Sequence, residues 1–163
     1  QDMSFRPIPL KPLTRTYARR VIVVGSEAGQ VKPTTGGGIY YGLLCADIAA
    51  GVLGSALEKD DLSGKCLAAY ERAWKKKLSR ELRVSYWVRK LFEQLNDNQI
   101  ETLFQVIQNS GIGRTAEGIA FDWHGRVAFK LFKARPLAGT LSILKAPFNY
   151  RRVREYDREY DYE

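Results

Sequence analysis

The residues best suited to do chemistry in this chain are nearly bare of side chains. Gly25-Ser26-Glu27-Ala28-Gly29 is followed, after a short interval, by Pro33-Thr34-Thr35-Gly36-Gly37-Gly38-Ile39. Glycine lets another group come close to the backbone, and the first N–H groups of a helix have no partner within it. A helix start of this kind carries partial positive charge and favours an anion or an electron-rich carbonyl. The chemistry on offer is therefore binding and charge stabilisation by backbone. No side chain declares itself as a catalytic group, so the catalytic residues are left unassigned.

Two elements must position these glycines. Val21-Ile22-Val23-Val24 is an unbroken β-branched run that ends on Gly25, which predicts a strand over 20–24 buried on both faces. An apolar helix is predicted from about 38 to 57. By length residues 39–57 could span a bilayer, but Asp47 stands in the middle and the run is rich in Gly and Ala. Small residues at Gly42, Ala46, Ala50 and Gly54 form an i, i+4 strip that lets a helix lie close to a sheet. The reading is a helix buried beneath a sheet, and no signal peptide pattern accompanies it.

The strand, the Gly-Ser-Glu-Ala-Gly turn, the proline and the triple glycine together resemble the second flavin motif of the para-hydroxybenzoate-hydroxylase-like flavoproteins. The form Gln30-Val31-Lys32-Pro33-Thr34-Thr35-Gly36-Gly37-Gly38-Ile39-Tyr40-Tyr41-Gly42 is similar to that of the geranylgeranyl reductase family in particular. The resemblance covers about residues 8 to 55. It implies an α/β parent flavoprotein that uses FAD to reduce isoprenoid C=C bonds of a lipid, quinone or chlorophyll precursor, with NADPH or a ferredoxin-like protein as electron donor. It implies cofactor contacts at Gly25, Ser26, Pro33, Gly37, Gly38 and Ile39. Pro33 would lie beside the ring system, and Gly37, Gly38 and Ile39 would meet the flavin pyrimidine edge. Ser26 stands where the family places an acidic residue that holds the ribityl chain; its hydroxyl can bond there without charge assistance. Glu27, one residue on, would point to the opposite face of an extended segment.

Such a flavoprotein should also hold its pyrophosphate with a Gly-x-Gly-x-x-Gly fingerprint, and none occurs in these residues. The expectation is a C-terminal part of a longer enzyme, inactive by itself: residues 1–60 supply the last strand and helix of the FAD domain, 61–149 a helical domain, and 150–163 a flexible tail. This piece should be α-rich α+β with a small remnant of sheet. Two other readings stand beside it. One is a monooxygenase or an electron-transfer flavoprotein–quinone reductase of the same superfamily. The other is a non-catalytic helical module that binds a membrane or a protein.

Composition bounds the rest. The 163 residues are 45% hydrophobic, enough for a core, and carry a net charge of +8. Much of the excess lies in Arg72, Lys75, Lys76, Lys77, Arg80, Arg83, Arg89 and Lys90. This run reads as a solvated helix face, or as a surface for anionic headgroups or an acidic electron donor. No nucleic-acid motif accompanies it. Cys45 and Cys66 have no metal-ligand spacing, so no metal site is assigned. Cys45 reads as a small buried hydrophobe, with a redox role near the flavin as the other option. Nothing indicates a disulfide framework, which points to the cytoplasm, with peripheral membrane contact for a lipid substrate.

Along the chain, the prolines at 7, 9 and 12 predict an extended start with an edge strand over 8–10. A long helix is predicted over 64–95, capped by Asp61 or Ser63, on a stripe of Leu67, Tyr70, Trp74, Leu78 and Leu82. Asn96 and Gln99 form a capping box before a short helix that ends near Gly111. Asp122 is expected to cap the next helix, and a last one runs over 137–145. Trp74, Tyr86, Trp87 and Trp123 fit ordinary core packing or the wall of an isoprenoid tunnel. His124, the one histidine, fits either a solvent-facing position or an acid.

Overall fold

The computed structural model describes residues 7–109 and 121–133. A hairpin comes first, strand β1 (Tyr17–Ala18) antiparallel to β2 (Val21–Ile22), with Tyr17 opposite Ile22 and Ala18 opposite Val21. A 3-10 turn over Gly25–Ala28 leads to helix α1 (Ile39–Glu58), then α2 (Gly64–Phe92), α3 (Asp97–Asn109) and α4 (His124–Lys133). The predicted edge strand over 8–10 does not form; those residues have no regular structure. The predicted helix over 137–145 and the predicted flexible tail over 150–163 lie outside the described residues.

The long helix α2 is the spine, with α1, α4 and the hairpin packed on it. Its apolar side chains recur every three or four residues, and Leu67, Tyr70, Trp74, Leu78 and Leu82 are all buried. They meet Tyr41, Cys45 and Ala49 of α1 and Trp123 ahead of α4 in one core. The hairpin is fastened to α2 through Thr16. Its N–H donates to Glu71 Oε2 at 2.7 Å, and its hydroxyl receives the Trp74 indole N–H at 2.8 Å. Burial works against the Glu71 carboxylate, but the hydrogen bonds from Thr16 and Lys75 outweigh it and hold its pKa below the ordinary value.

Local signals fix the helix ends. Ser63 caps α2, its hydroxyl accepting from the Cys66 N–H at 3.2 Å, while Asp61 instead accepts from Ser63 N–H. Asn96 and Gln99 exchange side-chain-to-backbone hydrogen bonds at 2.9 and 3.0 Å, the capping box that opens α3. Helix α1 closes in a Schellman arrangement, with Asp61 N–H donating to Ala56 O and Asp60 N–H to Leu57 O. Asp60 pivots that closure at φ 50°, a left-handed conformation that suits glycine better. Asp60→Gly should therefore raise stability by about 0.5–1 kcal/mol in urea unfolding. A loss of stability would show that the aspartate side chain outweighs the backbone strain.

Three expectations are corrected here. The run over 20–24 is not a strand buried on both faces, since Val21 is 49% exposed and the hairpin gives it a partner on one side only. Helix α1 is covered on one face only. Its buried residues are Tyr41, Cys45, Ala49 and Ala56, whereas Ala46, Ala50 and Gly54 of the small-residue strip are exposed. Among the described residues no sheet lies over that strip, and by length and composition α1 could cross a bilayer. Asp122 does not cap α4, because its carboxylate is turned to Lys32.

Candidate functional site: the glycine turn and the start of α1

The turn after β2 is built around two glycines with left-handed backbone, Gly25 at φ 73° and Gly29 at φ 68°. A Cβ on Gly29 would stand 2.2 Å from the Lys11 carbonyl oxygen, so this position admits no side chain. Gln30, fully buried, holds the turn from below. Its Oε1 accepts from the Gly25 N–H at 2.8 Å, and its Nε2 donates to Tyr70 Oη at 2.8 Å. Tyr70 in turn donates to the Val23 carbonyl, so the turn is pinned to α2. Burial pushes the Tyr70 phenol up to about 12, which keeps it a donor at every physiological pH.

This turn rests against the start of α1. A Cβ on Gly42 would stand 3.6 Å from the Gly25 Cα, and the Ser26 hydroxyl lies 3.1 Å from the point a Gly38 Cβ would occupy. Gly38 precedes α1 with no side chain capping the helix, and Ile39 is 83% exposed. The structure thus gathers Gly25, Ser26, Gly38 and Ile39, with Gly37 beside them, around an open helix start. The triple glycine has internal reasons as well. A Cβ on Gly38 would stand 2.9 Å from Val31 Cγ1, and one on Gly37 would stand 3.0 Å from Lys32 Cε.

Two sequence expectations change. Pro33 is fully buried, its carbonyl receiving Arg89 Nη1 at 3.1 Å, so its ring offers no open face to a cofactor. The segment 25–28 is a 3-10 turn rather than extended chain, so the alternation that set Glu27 opposite Ser26 does not apply. Both residues are exposed.

The loop between turn and helix closes on Lys32. Its N–H donates to Gly37 O, and its carbonyl accepts from Thr35 and Gly36. The buried Lys32 ammonium pairs with Asp122 at 2.6 Å, and the Asp122 carbonyl receives Tyr41 Oη at 2.7 Å. Thr34 Oγ1 and His124 Nδ1 share a hydrogen bond at 2.6 Å, so His124 is tied to the loop rather than simply facing solvent. The entry of α4 is capped from α2. The buried Glu81 accepts from the Gly125 N–H in a very short hydrogen bond and from the Arg126 N–H at 3.0 Å.

The remaining candidates sort by burial. Trp74 and Trp123 are core residues, whereas Tyr86 and Trp87 border a surface cleft. Burial pushes the Cys45 thiol up to about 11, which suits a packed hydrophobe and not a redox thiolate. Within the basic run, Lys75 is paired with Glu71, and Arg89 and Lys90 with Glu93, while Arg72, Lys76, Lys77, Arg80 and Arg83 are exposed. Among the described residues there is no cluster suited to a metal.

In outline this is a helix-rich protein with little sheet, in which a glycine turn is pressed onto an uncapped helix start. No family model matches the chain. It is 37% identical over 101 residues to digeranylgeranylglycerophospholipid reductase 2 of Methanothermobacter thermautotrophicus, a match to 62% of this chain and 26% of that protein. It is 37% identical over 99 residues to the digeranylgeranylglycerophospholipid reductase of Methanocaldococcus jannaschii, covering 61% and 25%. For digeranylgeranylglycerophospholipid reductase 2 of Methanopyrus kandleri the identity is 31% over 125 residues, covering 77% and 31%. The chain thus spans between 25% and 31% of the length of these curated relatives. In fold it is similar to a geranylgeranyl bacteriochlorophyll reductase-like protein from Thermoplasma acidophilum. The TM-score is 0.64 at 20% identity, over 78% of this chain and 30% of that one. In sequence the chain is similar to proteins named digeranylgeranylglycerophospholipid reductase over 99 to 125 residues.

Proposed function

We propose that the whole protein carrying this sequence is an FAD-dependent reductase of isoprenoid C=C bonds in a geranylgeranyl lipid, and that these residues supply part of its flavin site. The observation that carries this reading is the junction of Ser26, Gly38 and the uncapped start of α1, in a chain similar in sequence to proteins named digeranylgeranylglycerophospholipid reductase. The residues present fit the cofactor: an open, positively polarised helix end faces outward beside two polar side chains, Ser26 and Glu27. Bound flavin would supply the hydride; the chain's task is to bind and tune it.

In this reading the N–H groups at the start of α1 face the flavin pyrimidine edge and stabilise its anionic reduced form. Ser26 bonds the ribityl chain, with Glu27 near enough in the turn to share that task. Lys32 and Gln30 contact no cofactor; they hold the loop and the turn in place. The exposed small-residue strip of α1 then lies against the sheet of an α/β FAD domain supplied by the rest of the protein. Residues 1–60 and 61–149 remain our division into the end of that domain and a helical one. We place the protein in the cytoplasm, touching the membrane peripherally to reach its lipid.

Replacing Ser26 by Asp tests the ribityl assignment. Ser26→Asp should leave FAD affinity in the full-length protein equal or tighter by up to about tenfold, since a charged acceptor strengthens a hydrogen bond by about 1 kcal/mol or more. Flavin fluorescence titration reads it. Affinity lowered tenfold would show that the hydroxyl does not face the ribityl chain.

A further inference from the structure

Among the described residues Lys32 is the one buried basic side chain. Its backbone closes the glycine loop, but that task falls to peptide groups that every residue type except proline carries. The ammonium needs a separate reason. Taking a charge out of water is costly, and a carboxylate partner seldom does more than offset that cost.

The charge also stands where it opposes the helix. The Lys32 side chain lies against Gly37, with Cε 3.0 Å and Nζ 3.5 Å from the point a Gly37 Cβ would occupy. The start of α1 is itself partly positive, so a cation beside it is unfavourable. No side chain caps that start, and no acidic residue stands in its first turn. The nearby Arg89 guanidinium, on Pro33 O at 3.1 Å, is balanced by Glu93 at 2.8 Å. The Asp122 carboxylate holds the Lys32 ammonium at 2.6 Å, yet comes no nearer to Gly37 than the ammonium does. Two unfavourable placements thus concentrate positive potential at one point, the glycine start of α1. That arrangement suits a group which becomes negative there.

We propose that Lys32 and Asp122 set the electron affinity of the flavin held at this start. The ammonium adds to the helix N-terminus in favouring the reduced cofactor, and the carboxylate moderates it. Reduction by two electrons and one proton leaves a single negative charge, and the pair acts on that charge. Neither residue touches the cofactor; both act across Gly37 through the field. This inference rests on the flavin reading of the site.

The test uses full-length protein loaded with FAD and titrated anaerobically with dithionite beside a redox dye of known potential. Asp122→Asn keeps an acceptor for Lys32 and removes the opposing charge. The ratio of reduced to oxidised flavin at a fixed poise should rise about tenfold, which is about 30 mV upward for a two-electron couple. Lys32→Met keeps the length of the side chain and removes the ammonium. The ratio should fall about tenfold, about 30 mV downward. Glu58→Gln, at the far end of α1, should leave it unchanged. Opposite signs mark an effect of charge. A pair that merely clips the loop to the entry of α4 would lose stability in both variants and shift the potential in one direction or not at all. Should Lys32→Met fail to fold, the upward shift of Asp122→Asn decides alone. Flavin retained at an unchanged potential in both variants would overturn the tuning and leave the reductase standing. Opposite shifts in a protein that returns an isoprenoid lipid unchanged would keep the tuning and remove the reductase. Full-length protein that takes up no flavin would overturn both.

Discussion

Gly29→Ala should be among the most damaging single-methyl changes in this chain. The new Cβ would stand 2.2 Å from the Lys11 carbonyl and 2.7 Å from Pro12 Cα, both backbone atoms that no side-chain rotation can clear. Left-handed backbone at φ 68° adds a penalty of about 1–2 kcal/mol for any L side chain, and overpacking adds about 1–3. The expected loss in urea unfolding is about 2–5 kcal/mol, at its upper end enough to unfold a marginal domain. Under the proposed flavin reading, the same change in the full-length protein should also lower FAD affinity, because the turn that carries Ser26 is displaced. A loss below about 1 kcal/mol would mean that segment 10–13 moves aside freely, and that the turn is not the fixed platform described here.

Glu81→Ala comes next. The carboxylate is buried and accepts from two backbone N–H groups at the start of α4, as well as from Ser85 Oγ at 3.3 Å. Removing it leaves those donors without an acceptor inside the fold, at about 1–3 kcal/mol each. A total of about 3–5 kcal/mol is expected, with Glu81→Gln losing roughly half because one oxygen remains. The effect should concentrate on α4. Amides after residue 124 should lose hydrogen-exchange protection before those of α1. Uniform loss across all helices, or a change under about 1 kcal/mol, would contradict the cap.

These two sites show what a sequence reveals and what it hides. The span of α1 and the Asn96–Gln99 box could be read directly, and the cap of α2 was narrowed to Asp61 or Ser63, because each is set by residues close in the chain. The glycine turn was legible as a turn, and its family likeness was carried by contiguous residues. Glu81 was not legible as a cap: it sits in a helical stripe, and its partner Gly125 is 44 residues away. The same distance hid Gln30, whose partner Tyr70 lies 40 residues on, and the Lys32–Asp122 pair, separated by 90. A one-dimensional pattern assigned Asp122 to the nearer helix end, but the buried Lys32 ammonium makes the stronger demand for a carboxylate. Burial of Pro33 was hidden for a related reason: spacing marks where a residue occurs along the chain, not which side of the loop is covered. The strand over 20–24 was read as doubly buried from its β-branched run, but in a two-stranded hairpin such residues can stay half in solvent, as Val21 does.

The central claim is that this sequence belongs to a flavin-dependent enzyme that hydrogenates isoprenoid chains. It is tested most directly by reducing the purified full-length protein with dithionite under anaerobic conditions and adding a geranylgeranyl glycerophospholipid. The flavin absorbance and the mass of the lipid are then followed together. The account predicts that the bleached flavin regains its oxidised spectrum as the lipid gains two hydrogens per double bond. A protein that holds FAD in stoichiometric amount yet returns the lipid unchanged, with its flavin still reduced, would contradict it.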